Sequence, residues 1–164
     1  MVSGWRAARY NSNQMHTHET PLRVRYAETD QMGVVYYANY LVWMEVGRVA
    51  YCKSIGFNYR DMEREDGIVL AVVEAHCRYL RPARFEDEVI VKTWIAEATK
   101  RTVRFAYEMR RAEDGAILAT GETKHLFCDR NVRPSRLPAK YHAQFGIETR
   151  QSGLADPSHL SGSR

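Results

Sequence analysis

The sequence predicts an α+β protein, a curved and largely antiparallel β-sheet wrapped around one long buried helix. Three observations point there. Residues 39–55, NYLVWMEVGRVAYCKSI, contain no proline and are apolar on nearly every face, the pattern of a helix buried almost all round. From Gly67 onward the hydrophobic period changes to two, the period of strands. The Asp114-Gly115 pair, set between two alternating runs, is a hairpin signal.

The elements follow in order. Residues 22–28, LRVRYAE, alternate apolar and polar and read as the first strand. The long helix comes next, with Gly56 as its C-terminal stop. A short helix over about 58–65 starts on Asn58 and stops at Gly67. In the strand after it, Val69, Ala71, Val73, Ala75, Cys77 and Tyr79 form one apolar face, while Glu74, His76 and Arg78 make the other polar; Pro82 ends it. Residues 87–96 form another strand. Over 101–111, Val103, Phe105, Tyr107 and Met109 alternate with Thr102, Arg104, Glu108 and Arg110. A last strand runs over 116–128. Consecutive hairpins would join these four strands.

Composition bounds the function. A chain of 164 residues is most simply one domain, placed here at 20–148 between tails at 1–19 and 149–164 that lack periodic apolar faces and read as disordered. Hydrophobic residues make up 45%, but no apolar run reaches the ~20 residues of a membrane span, and the N-terminus has no apolar signal core. Cys52, Cys77 and Cys128 are far apart and odd in number, which fits a reducing cytoplasm. The histidines lack metal-ligand spacing, so no metal is expected. The net charge of +4 fits either nucleic acid or a phosphate-bearing substrate. Its basic groups, Arg78, Arg81 and Arg84 and then Lys100, Arg101 and Arg104, carry no reader motif, so no nucleic-acid partner is expected.

The stretch TDQMGVVYYANYLVWMEVGR (29–48) sets an acid beside the apolar helix. A lone Asp30 would most often be a cap or turn residue. Followed by Gly33, Tyr37 and a helix start, it could instead be a reactive carboxylate beside unpaired amides, and the residues alone leave both readings open. Gly33 lets the loop approach a ligand without a side chain in the way. Tyr36, Tyr37, Tyr40 and Trp43 read as core aromatics, Glu45 as an ion-pair partner of Arg48, and His76 and His125 as structural strand residues.

YAETDQMGVVYYANYLVWMEVGR keeps the pattern D-x-x-G-[IV]-V-[aromatic]-[YH]-x-N-Y, and RYLRPARFEDEVIV (78–91) adds a strand and turn. Over residues 20–145 the chain resembles the hotdog fold, and within it the 4-hydroxybenzoyl-CoA thioesterase family with its YbgC-like acyl-CoA thioesterases. The resemblance implies hydrolysis of an acyl- or aroyl-CoA to carboxylate and free CoA, with Asp30 as base or nucleophile and the thioester carbonyl on the amide matching Tyr37. It implies no metal and no cofactor beyond the CoA of the substrate. It also implies a homodimer or homotetramer whose sites are built from two chains. In that family the hairpin matching TKRT (99–102) sits near the CoA nucleotide. Lys100 and Arg101 are then the phosphate candidates, Thr99 standing at an often basic position, and Arg81 and Arg84 are further candidates. A hydratase or dehydratase on this fold would place a histidine in the helix-start motif, but none lies between His18 and His76. A non-catalytic acyl-CoA or acyl-carrier binding module would not need Asp30.

Overall fold

The computed structural model describes residues 16–148. The rest of the two expected tails, 1–15 and 149–164, lies outside the described residues. The chain runs β1 (His18–Arg23), α1 (Asn39–Ser54), α2 (Tyr59–Asp61), β2 (Ile68–Tyr79), β3 (Glu88–Ala98), β4 (Thr102–Arg111) and β5 (Ile117–Asp129). The five strands make one antiparallel sheet in the order β1-β3-β4-β5-β2, with α1 packed across its concave face.

Most elements stand where their patterns place them. On β4, Val103, Phe105, Tyr107 and Met109 are all buried. Gly115 takes the left-handed conformation the β4–β5 turn requires (φ 69°). The Asn58 side chain caps α2 by accepting the Arg60 amide at 3.0 Å, and Gly67 closes the following turn with φ 66°.

Several expectations need correction. The first strand ends at Arg23, not at residue 28, and it starts inside the stretch assigned to the tail. Residues Tyr26–Glu28 form a 3₁₀ turn, because the Glu28 carboxylate reaches back to the Arg25 amide at 2.7 Å and bends the chain. The strand's start is held by Glu19, which receives two bonds from Arg110 on β4 at 2.9 and 2.8 Å.

Only β3–β4 and β4–β5 are hairpins; β2 crosses to the far edge, beside β5. The single face assigned to β2 is broken by a bulge between Val72 and Glu74, where Val73 is the extra residue. The inserted residue reverses the alternation, so Leu70 and Cys77 share the core side, while Val69 and Ala71 turn outward.

Helix α1 is not buried all round. Tyr40, Trp43, Met44, Gly47, Tyr51 and Cys52 face the sheet, but Leu41, Val42 and Val46 are exposed. Glu45 forms no ion pair with Arg48, whose guanidinium turns inward to donate to Tyr59 Oη at 2.9 Å and lies over the Tyr59 ring. Two glycines let the helix approach the sheet closely. A Cβ at Gly47 would lie 2.6 Å from Thr93 Oγ1 and 2.7 Å from Val91 Cγ1, and one at Gly121 would strike Met44 and come 2.6 Å from the His76 carbonyl.

Candidate active site

Asp30 lies in a tight loop between the 3₁₀ turn and α1. Its amide donates to the Val34 carbonyl at 2.9 Å, its own carbonyl accepts the Gly33 amide at 2.9 Å, and its Oδ1 accepts the Met32 amide at 2.8 Å. Gly33 has φ 70°, a conformation that a side chain would strain. The Val35 amide anchors the loop to the Ala83 carbonyl at 2.9 Å, next to the start of β3. One carboxylate oxygen of Asp30 is therefore pinned, and Oδ2 has no hydrogen-bond partner among the described residues.

The start of α1 supplies a donor. The amides of Asn39, Tyr40 and Leu41 turn back to the carbonyls of Tyr36, Tyr37 and Ala38, and the Tyr36 amide donates to the Glu28 carbonyl at 2.8 Å. The Tyr37 and Ala38 amides find no acceptor among the described residues. A helix opening carries about half a positive charge, so an oxygen gaining negative charge is favoured there. Tyr79 on β2 fixes the turn by donating its hydroxyl to the Tyr37 carbonyl at 3.1 Å. Tyr79 is 45% exposed as a residue, but partial desolvation of its hydroxyl, with Cys77 as the next cause, raises the phenol to about 12, so it stays a donor at neutral pH.

Asp30, Met32, Tyr37, Tyr40, Tyr79 and Arg81 line one open cavity of about 320 Å³. Arg84 is not part of that lining, but it bonds the Gly33 carbonyl of the Asp30 loop at 3.4 Å. Asp30, Gly33, Tyr37, Arg81 and Arg84 are thus gathered in one place. Lys100 and Arg101 are not. They lie on the β3–β4 turn, at the opposite end of the 11-residue strand β3 from the Asp30 loop, a strand roughly 33 Å long at ~3.3 Å per residue. A second cavity of about 350 Å³, lined by Glu86, Asp87, Glu88, Glu113 and Arg111, contains none of the expected site residues, and its acids would repel a phosphate.

The two strand histidines lie outside the Asp30 cavity. His125 is buried under α1 with Nε2 2.8 Å from Thr123 Oγ1, and burial, aided by the Arg48 charge, pulls its pKa down to about 3.

One polar residue of the neighbourhood was missed in the sequence. Glu28 is 5% exposed, and its carboxylate accepts from the Arg25 amide (2.7 Å), the Arg25 guanidinium (3.1 Å) and the Trp43 indole (3.1 Å). Burial acts to raise its pKa, but these donors together hold the carboxyl below its ordinary value. The only signal was an acid two places before Asp30, and strand alternation made it look like a surface residue.

A model of the thioesterase-like superfamily matches residues 24–145, the span that holds the loop, the helix and the whole sheet after β1. The chain belongs to this superfamily. It is 40% identical over 116 residues to YneP of Bacillus subtilis, a candidate acyl-CoA thioesterase, covering 71% of this chain and 83% of that protein. It is 30% identical over 128 residues to the acyl-acyl carrier protein thioesterase ATL3 of Arabidopsis thaliana, covering 78% of this chain and 67% of that one. In three dimensions it matches the DHNA-CoA thioesterase of Staphylococcus aureus with a TM-score of 0.76 and 33% identity, over 79% of this chain and 89% of the other. The α+β hotdog architecture and the likeness to the 4-hydroxybenzoyl-CoA and YbgC-type thioesterases therefore hold.

Proposed function

We propose that the chain is an acyl-CoA thioesterase that hydrolyses R–CO–S–CoA to a carboxylate and free CoA at the Asp30 cavity. The observation that carries this reading is the pairing of a half-free carboxylate with an unpaired helix-start amide in one cavity. Thioester hydrolysis needs those two things, a base or nucleophile and a donor for the developing oxyanion. The names of YneP and the Staphylococcus aureus enzyme support a CoA ester, while ATL3 is named for acyl carrier protein esters; all three support thioester hydrolysis.

Oδ1 of Asp30, held by the Met32 amide, fixes the carboxylate plane, and Oδ2 faces the substrate. As a base, Oδ2 takes a proton from water while the water oxygen attacks the carbonyl carbon. As a nucleophile, it attacks directly and water then cleaves the mixed anhydride. In both routes the C–S bond breaks, the thiolate leaves and is protonated to the thiol of CoA, and the carbonyl oxygen passes through an oxyanion on the Tyr37 amide. Loss of one such donor costs about 3–4 kcal/mol in other acyl-transfer sites. The route asks for no metal and no resident cofactor, because a thioester is already activated and the thiolate is a good leaving group.

Arg81 lines the cavity and Arg84 bonds the Asp30 loop beside it, so in this reading they are the phosphate candidates nearest the site within one chain. Lys100 and Arg101 serve the same substrate only from a neighbouring copy, so this reading includes a homodimer or homotetramer. A second copy would cover the apolar residues that α1 and the β2 edge leave exposed.

The test is a panel of thioesters carrying short, long and aromatic acyl groups on CoA and on acyl carrier protein, with released thiol as the readout. Turnover of at least one CoA ester, above any carrier-protein ester, is expected. Binding without thiol release across the panel would replace the hydrolase reading with the non-catalytic one.

A further inference from the structure

Glu28 stands apart from every role assigned so far, yet it touches both halves of the site. Its backbone carbonyl accepts two bonds from the start of α1, from the Tyr36 amide at 2.8 Å and from Asn39 Nδ2 at 2.9 Å. Its carboxylate is clamped from the opposite side, by Trp43 Nε1 on α1 and by the amide and guanidinium of Arg25. It is followed directly by Thr29, which bridges to Val35, and by Asp30. One residue thus ties the loop that carries Asp30 to the helix opening that carries the Tyr37 amide.

We propose that Glu28 is a positioning residue for the thioesterase reaction: a buried strap that sets the separation between the Asp30 carboxylate and the Tyr37 amide. The physical reason lies in the order of contacts. Asp30 is bonded within its own loop, and the Tyr37 turn is held by α1 and by the Tyr79 hydroxyl, so no hydrogen bond among the described residues joins the Asp30 carboxylate to the Tyr37 turn directly. The loop meets α1 through Ala83, which accepts the Val35 amide at 2.9 Å and donates to Tyr40 Oη at 3.1 Å, and through Glu28, whose carboxylate keeps it in place only while its donors face an acceptor. A carboxylate 5% exposed stays buried only while donors such as these satisfy it. Catalysis depends on the reacting groups being held within a fraction of an ångström, so a loosened strap costs rate before it costs binding.

This inference rests on the proposed hydrolase reading, and the experiment separates the two. The full chain is prepared as wild type, Glu28→Gln, Asn39→Ala and Asp30→Asn, and each is assayed on the acyl-CoA that the wild type turns over fastest, with melting temperature measured alongside. Glu28→Gln keeps the shape but sets an amide NH₂ against a donor. Asn39→Ala removes one of the two bonds to the Glu28 carbonyl at a half-buried position, where folding survives. Both are expected to lower kcat per folded protein by about ten- to a hundredfold, with KM within about twofold of wild type. Should Glu28→Gln not fold, the kcat–KM split of Asn39→Ala decides alone. Wild-type kcat in the folded strap variants, beside an inactive Asp30→Asn, overturns the strap and leaves the site reading intact. A loss of rate that only tracks the loss of folded protein, or that falls on KM, also overturns it. Full turnover in Asp30→Asn removes the site reading and the strap with it.

Discussion

His125 is a titratable group that the proposed chemistry does not use, and its burial has a consequence for pH. Its ring is 1% exposed between α1 and the sheet, with Nδ1 unpartnered, and its pKa sits near 3 against an ordinary 6.5. The unfolded chain therefore takes this proton first. Stability is full above pH 6.5 and is lost as pH falls from there toward 3. Wild type should melt at progressively lower temperature between pH 6.5 and 4, and His125→Gln should flatten that slope; parallel curves would count against a neutral buried ring. Among the candidate site residues, Asp30, Gly33 and Tyr37 could be singled out because they sit at fixed offsets ahead of a helix, and the structure brings them together in one loop. Glu28 was not readable, since its meaning comes from Trp43, fifteen positions away and a neighbour only once the helix is docked.

The elements were legible where period and length agree, as in β4, β5 and α1. They were misread where one residue changes the phase. A bulge at Val73 leaves no compositional mark, because valine suits either face of an edge strand. The nearly all-apolar pattern of α1 was likewise read as burial almost all round, although one face holds Leu41, Val42 and Val46 in the open. The inner face yields a prediction at Gly47. Alanine there gains about 1 kcal/mol of helix propensity, yet its Cβ would lie within 2.7 Å of both Thr93 and Val91. Contact should win, because the wall behind is a packed sheet. Gly47→Ala is expected to lose about 1–3 kcal/mol in denaturant unfolding. A gain in stability would mean that the helix can lift off the sheet freely.

At the scale of the molecule, the sheet order was hidden because alternation tells a strand from a helix but does not name its neighbour. That order matters for assembly. It makes the long strand β2 an edge, bearing exposed Val72 and Val73, with exposed Tyr79 and Leu80 at its end and the open apolar face of α1 nearby. The proposed shared site needs such a second copy, because in one chain the Lys100–Arg101 turn and the Asp30 loop lie at opposite ends of β3. Sedimentation at micromolar concentration should show a dimer or larger, and Val42→Lys should shift it toward folded monomer with weakened turnover; a wild-type monomer with full turnover would refute the shared site. The central claim, that Asp30 does the chemistry, has the most direct test. Asparagine caps a turn about as well as aspartate, so Asp30→Asn should leave the melting temperature nearly unchanged. It cannot take a proton or attack, so kcat on the best acyl-CoA should fall by roughly a hundred- to ten-thousandfold while binding persists. An Asp30→Asn protein with near-wild-type kcat would contradict the account.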